Sequence, residues 1–301
     1  MQVLLLVVGF RDYFINFVHS DGRVGFAPRA GLLNTNLSGI MVKIKLGKHT
    51  VEMYDTIDEL PIVRFHKYQK LLLVDAGVGA DITAFDRRIE KTKRFLSLGK
   101  TEQAAQELEN LRQSVYLIQN GLSPKMRAFA ALITRLDGKP CDEITDDALE
   151  KISAALADVP ANEFAAQLDA VKKKIEQDLT LYFPALFDDS EVKEYYDLLR
   201  KRSLAMLNAI IAGKSSPTEV PEVEKLTTAL ITYSNPQTFT GSAGVEVQFD
   251  KQFENLCLAL SEQLHIDPKK YTVLEFYNAF EFAKERAKKA ENAQKKRFKN
   301  D

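Results

Sequence analysis

Tryptophan is absent from this 301-residue chain, which has only two cysteines, four histidines and fourteen glycines. Cys141 and Cys257 stand far apart without a CxxC, so neither a disulfide framework nor a cysteine-rich zinc site is expected; reduced, buried thiols are. His19, His49, His66 and His265 are scattered and show no HExxH or related ligand spacing, so no metal and no cofactor is expected. Glycine is sparse for an α/β enzyme of this size. A formal net charge of -1 gives no global field toward nucleic acid or an acidic membrane. Long apolar runs are lacking as well. "MQVLLLVVGF" falls short of the ~20 residues of a membrane span and has neither the basic flank nor the small-residue cleavage site of a secretory signal. It reads as a strand. A cytoplasmic setting without membrane contact is the expectation.

What is present is an ordinary globular composition, with 45% apolar and 28% charged residues. The stretch from Met1 to Ile40 is irregular and rich in turn residues. Met41 opens a clean new pattern, which makes it an alternative start and the first forty residues an upstream extension. "MVKIKLGKHTVEMYD" alternates apolar and charged residues through Val42, Ile44 and Leu46, then Val51 and Met53, the pattern of a β-hairpin with Gly47 in its turn. Next, "TIDELP" offers Thr56 or Asp58 as an N-cap and Pro61 in a first helical turn. Ile62, Phe65, Tyr68 and Leu72 then fall at helical spacing.

The stretch "LLLVDAGVGADITAFDRR" has two readings: a strand and glycine loop around a phosphate, or one helix ending and another beginning. A dinucleotide fingerprint needs a third glycine, where Ile82 stands. The helical reading accounts for more, with Gly77 as C′ glycine, Asp81 as the next N-cap, and Ile82, Phe85, Ile89 and Phe95 or Leu96 as an apolar stripe. The same punctuation recurs. Gly99 and Thr101 introduce a helix whose expected core face is Leu108, Leu111, Val115 and Ile118. Gly121, Ser123 and Pro124 then give a C-cap, an N-cap and a first-turn proline, and "KMRAFAALITRL" reads as helix up to Gly138.

Thr145 caps a helix that Pro160 ends, a longer helix runs from about Asn162 to Tyr182, and Ser190 caps another up to Gly213. The "GKS" at Gly213 resembles the end of a Walker A motif, but Asn208 stands where that motif needs glycine and a helix precedes it. From Ser234, "SNPQTFTGSAGVEVQ" reads as a loop or short β excursion with Val245 and Val247 alternating. Two helices follow, the second opened by a capping box of Thr272 and Glu275. The expected fold is mainly α, a multi-helix bundle-like protein with a small N-terminal β-hairpin. Its expected division is 1–55, a helical core 56–213, a loop-rich connection with one helix 214–249, and a C-terminal helical pair with a basic tail 250–301.

No residue set names a reaction. No GxSxG elbow is present. The acidic clusters sit at helix starts, where carboxylates stabilise the dipole by roughly 0.3–1 kcal/mol each and need no catalytic role. A non-enzymatic protein is expected. Two surfaces remain as contact candidates. From Lys284 to Asp301 there are eight basic and three acidic residues: Lys284, Arg286, Lys288, Lys289, Lys295, Lys296, Arg297 and Lys299 against Glu285, Glu291 and Asp301. This is a solvated tail or a salt-sensitive contact to an acidic partner or nucleic acid. The adjacent aromatic pairs Tyr195–Tyr196 and Phe276–Tyr277 cannot each face a single core from one helix, which marks them as interface candidates.

Two stretches carry a resemblance. "IDELPIVRFHKYQKLLLVDAGVGADITAFDRRI" resembles the opening of helical proteins from the structural gene blocks of tailed bacteriophages. "LHIDPKKYTVLEFYNAFEFA" is similar in cadence to the end of phage tail assembly chaperones, in which a short helix, a turn and a T-x-x-E-F helix start recur, here Thr272, Glu275 and Phe276. The resemblance implies a virion or morphogenesis protein that works through protein partners or self-association. A monomeric chaperone or adaptor, and a non-specific nucleic-acid-associated protein using the basic helix, are the alternatives.

Overall fold

The alternating residues after Met41 form β1 (Val42–Leu46) and β2 (His49–Met53), paired antiparallel with Leu46 opposite His49. The two-residue turn leaves Gly47 at φ +54°, a conformation that suits glycine. This computed structural model describes residues 41–187, 190–233 and 235–297, so the expectations for Met1–Ile40 and Lys299 lie outside them. The protein is mainly α. In chain order the helices are α1 (Ile62–Gly77), α2 (Phe85–Ser97), α3 (Thr101–Gln119), α4 (Pro124–Leu132), α5 (Asp146–Ala155), α6 (Ala161–Tyr182), α7 (Pro184–Phe187), α8 (Ser190–Ile211), α9 (Pro221–Ile231), α10 (Val245–Leu264) and α11 (Val273–Arg297).

The sheet is larger than the hairpin. "KMRAFAALITRL" does not stay helical: α4 stops at Leu132, and β3 (Ile133–Leu136) continues as a strand antiparallel to β2, followed by the short β4 (Lys139–Pro140). Two causes act together. Asp137 and Gly138 both take positive φ, 50° and 79°, which is a type I′ hairpin turn written as Asp-Gly. Arg64 on α1 then holds the junction, its guanidinium donating to the backbone carbonyls of Ala131, Ile133, Cys141 and Asp142 at 2.6–3.1 Å. The Ala131 and Ile133 carbonyls flank the point where helix turns into strand, and those of Cys141 and Asp142 follow β4, so one guanidinium ties the junction to the end of the sheet.

The core gathers around α4. Ala128 through Ile133 are fully buried against α1, and Phe129 meets Phe164 of α6 edge to face at 5.0 Å. On α6 the buried residues Phe164, Leu168, Val171, Ile175 and Leu179 follow helical spacing along one side, each contributing about 1.5–3 kcal/mol by burial. The helices α10 and α11 join the same hydrophobic cluster through Phe253, Leu256, Leu260, Phe276 and Phe280.

The start of α1 lies elsewhere than local signals suggest. Pro61 precedes the helix as its N-cap residue and bridges to Thr272. The Ile62 amide donates to the Tyr271 carbonyl, and the Val273 and Leu274 amides donate to Leu60 and Ile57. Two helix starts far apart in sequence thus satisfy each other's backbone groups. By contrast three local caps appear where they are expected, whereas α2 takes Ala84 and not Asp81 as its N-cap residue. Ser123 accepts from the Met126 amide, Thr145 from Ala148, and Thr272 and Glu275 form the reciprocal capping box at 2.9 and 3.3 Å. Val245 and Val247 belong to the first turn of α10 and not to a strand, because Val245 and Phe249, one helical turn apart, pack with Leu73.

Candidate functional site

The stretch between α1 and α2 is helix, cap, helix. The cap falls two residues later than expected: Val78 closes α1, and Gly79, at φ +56°, is the left-handed residue. Both glycines have packing roles. A side chain at Gly77 would meet the Phe239 ring at 2.0 Å, and one at Gly79 would meet the Asp75 carbonyl oxygen at 2.6 Å. Beneath this loop lies a cleft of about 390 Å³. Its walls are the loop itself, Arg87, Arg88 and Lys91 on α2, Glu107 and Asn110 on α3, Ser123 and Lys125 at the start of α4, and residues Asn235 to Gln237.

The cleft explains an inversion in the α2–α3 hairpin. The side of α3 turned inward carries Glu107, Asn110 and Ser114 beside Ala104 and Leu111, whereas Leu108 is 54% exposed and Val115 is also exposed. The expected core face of α3 is therefore corrected for Leu108 and Val115. On α2 the buried residues are Thr92 and Phe95, while Ile82, Ile89 and Leu96 of the expected stripe are exposed. The polar groups inside are tied together. Arg88 donates to Ser114 Oγ at 2.7 Å, Ser114 in turn donates to the Val78 carbonyl, and Lys91 lies 3.6 Å from Glu107. Asn110 donates to the Gln237 carbonyl at 3.0 Å and closes the far wall. Burial pushes the Arg88 pKa down, and the Arg87 charge beside it adds to that shift, against Glu107, Asp75 and Asp81.

Two histidines sit in contrasting settings. His49 is held through both ring nitrogens, Nδ1 2.8 Å from Asp137 and Nε2 3.1 Å from Asp158, with Lys48 on Asp158 at 2.7 Å. The hydrogen bond to Asp137 holds its pKa above the ordinary value, with Asp158 adding and partial burial opposing. His66 on α1 is stacked between Phe249 and Phe253 of α10, at centroid distances of 4.6 and 4.1 Å, and lies 2.8 Å from Asp250. Burial pushes its pKa down despite Asp250. Asp250 also accepts from Lys70 at 2.8 Å, so each histidine is held by carboxylates that carry a second cation, Lys48 or Lys70. Among the described residues no group of three or more His, Cys, Asp or Glu is placed to hold a metal, and no helix is long and apolar enough to cross a membrane.

The interface candidates separate. Phe276 and Tyr277 both lie inside the molecule: Phe276 faces Phe253 at 6.0 Å, and Tyr277 faces Phe183 at 5.5 Å. The two rings do face different partners, as adjacent residues on one helix must, but both partners belong to the same chain, so neither ring is left for a neighbour. Tyr195 is half-buried edge-on against Tyr233 at 5.6 Å, and Tyr196 beside it is 40% exposed. Of the basic residues, Lys284 is half-buried, Arg286, Lys288 and Lys289 are exposed on α11, and Lys289 lies 3.8 Å from Glu285. Lys295, Lys296 and Arg297 fall on the last turns of α11, and nothing is described of their side chains.

A surface that the sequence reading passed over is the outer side of α8. Ala205 and Ala209 turn inward to pack α8 on α9, where Val223 is fully buried, and Arg202 donates to Thr227 at 2.8 Å. The opposite side carries Leu204, Leu207 and Ile211 at spacing i, i+3 and i+7, with Ile210 beside them; each is more than half exposed, and Ile211 is 83% exposed. This pair of helices reaches α2 through Arg94, which contacts Glu224 and Thr228 on α9. The apolar periodicity of α8 was the available signal, but it did not say that this side is exposed among the described residues. No family model, curated protein or solved structure matches this chain.

Proposed function

We propose that this chain is a non-enzymatic structural or assembly protein acting through protein–protein contacts, as a bacteriophage virion component or morphogenesis factor in the host cytoplasm or the particle. The observation that carries the reading is the pair of apolar rows exposed among the described residues, Leu204, Leu207 and Ile211 on α8 and Ile89, Leu96, Leu108 and Val115 on the α2–α3 hairpin. Exposed apolar residues repeated at helical spacing along one side of a helix suit association with a neighbour. Aliphatic side chains cannot turn over a substrate, whereas they can bury area against a neighbour. The phage assignment rests on the resemblance of Ile57–Ile89 and Leu264–Ala283. Support for treating these as one unit is that Leu60, Ile62, Tyr271 and Val273 exchange backbone hydrogen bonds.

Gel filtration with light scattering on the full chain tests the proposal. A discrete oligomer that dissociates in a Leu204→Asp, Leu207→Asp variant is the expected result. A 34.0 kDa monomer at every concentration would turn the reading toward a chaperone or adaptor whose apolar rows hold an unassembled partner. Salt-sensitive nucleic-acid binding lost on deletion of residues 284–301 would turn it toward the basic helix instead.

A further inference from the structure

Residues 235–244 join α9 to α10 as a strap without helix or strand. Its first residues, Asn235 to Gln237, form one wall of the cleft, where Asn110 donates to the Gln237 carbonyl at 3.0 Å and Thr238 donates to Gln106 at 2.9 Å. Its far end is tied to α10 itself, because the Val245 amide donates to the Thr238 carbonyl and the Gln248 amide to that of Gly244. Strap and first turns of α10 therefore form one continuous piece. Its apolar hold on the rest is a small cluster of Leu73, Val245 and Phe249, with Phe239 packed against them, separate from the main core. The later part of α10 belongs to the main core through Phe253, Leu256, Cys257 and Leu260. Where the two parts meet, His66 of α1 lies flat between Phe249 of the first and Phe253 of the second, with interplanar angles of 7° and 15°. Its side chain is 13% exposed.

We propose that residues 235–250 are an acid-released flap over the cleft, latched by His66 between Phe249 and Phe253. The neutral ring suits this slot. A charged imidazolium there would lose its water to two phenyl faces, and lifting Phe249 away returns it. Phe253 stays behind with the main core, so the opening is confined to the strap and the first turns of α10. The charges around the ring are Asp250 and Glu254 on α10, which favour its proton, and Lys70 on its own helix, which opposes it. Burial outweighs them and holds the His66 pKa below the ordinary value, so acid favours the open form. The half-buried Glu246 acts in the opposite sense. Burial and the nearby Asp250 and Asp146 push its carboxyl up, against Lys70 and Lys67, so the closed form takes that proton more readily. Release removes the Asn235–Gln237 wall and opens the polar side of α3 to solvent. The flap is independent of the assembly reading.

The test is amide hydrogen exchange of the full chain, read by mass spectrometry from about pH 7.5 to about pH 5.5, with each rate divided by its intrinsic value at that pH. Protection of peptides within 235–250 should fall below about pH 6.5, by up to about tenfold per pH unit, the limit set by one proton. Peptides within 253–264 of α10 and 124–136 of the centre should keep theirs. His66→Phe, which retains an aromatic ring in the slot, and His66→Gln should each lose the pH dependence of 235–250. Glu246→Gln removes the opposing titration and should keep that dependence or steepen it. A flat pH response of 235–250 in the parent would overturn the proposal. So would an equal loss of protection in 253–264, which would mean that the whole molecule opens, or an acid response that survives in both His66 variants.

Discussion

The centre of the molecule and the α2–α3 hairpin are built from similar amphipathic helices and use them in opposite senses. Around α4, apolar sides face inward and the buried arginine, Arg64, directs its hydrogen bonds to carbonyls at the helix-to-strand junction and just after β4. In the hairpin, Glu107, Asn110 and the anchored Arg88 face inward onto a cleft with Ser114 buried behind them, and Leu108, Val115 and Leu96 face out. An apolar row on a helix therefore announces that the row will be covered, and leaves open whether its own chain or another one covers it.

The contrast can be broken from the centre outward. Phe129→Ala should cost about 3–5 kcal/mol, since the ring is fully buried and its loss leaves a cavity between α4 and α6. Urea denaturation measures it, and a cost near that of a surface change would mean the centre is not packed as described. Arg64→Met should cost about 2–4 kcal/mol, because the carbonyls of Ala131, Ile133, Cys141 and Asp142 lose their donor. Gly77→Ala should cost about 1–3 kcal/mol through the Phe239 contact. Most of that cost should disappear in a Phe239→Ala background, a coupling that a double-mutant cycle reads directly.

The histidines sharpen the comparison through pH. His49 has a folded pKa above the ordinary ~6.5, so its stabilisation is complete below that pH and is lost as pH rises through the raised value. His66 has a folded pKa below it, so its neutral form contributes fully above about pH 6.5 and stability falls as pH drops toward the lowered value. Thermal midpoints between mildly acid and mildly alkaline pH should then show a loss on each flank. His49→Gln should flatten the alkaline flank and His66→Gln the acid one; the reverse pattern would show that the two environments have been read the wrong way round. Asp137 and Asp158, held low by hydrogen bonds from Thr50 and His49 and from Lys48 respectively, act in a separate window below about pH 4. The smallest effect on stability belongs to Leu108→Ala, within about 0.5 kcal/mol. Its effect should appear in self-association, and a stability loss like that of Phe129→Ala would place Leu108 in the core after all.

Much of the local architecture was legible in residues close together in the chain. The caps at Ser123, Thr145 and Thr272 were readable because a cap is an interaction across three residues. The Asp-Gly turn at Asp137 was equally present, but the apolar spacing of "AFAALITRL" fits a helix well enough to hide it. For the candidate site, the sequence named Tyr195, Tyr196, Phe276 and Tyr277 as interface candidates, of which Phe276 and Tyr277 are buried within their own chain and Tyr196 is exposed, and it carried no expectation of the α8 row or the cleft. Each miss concerns what lies against a helix, and no periodicity contains that.

By itself the sequence determined the mainly α character, the β1–β2 hairpin and most helix ends, because propensity, capping and period act over one or two turns. Tertiary structure alone decided that α4 would yield to a strand under Arg64, that Pro61 and Thr272 would close two helix starts together, and that the hairpin's polar side would turn inward. These outcomes depend on contacts between residues tens of positions apart, whose pairing is fixed only when the whole chain has found the one arrangement that satisfies its buried polar groups.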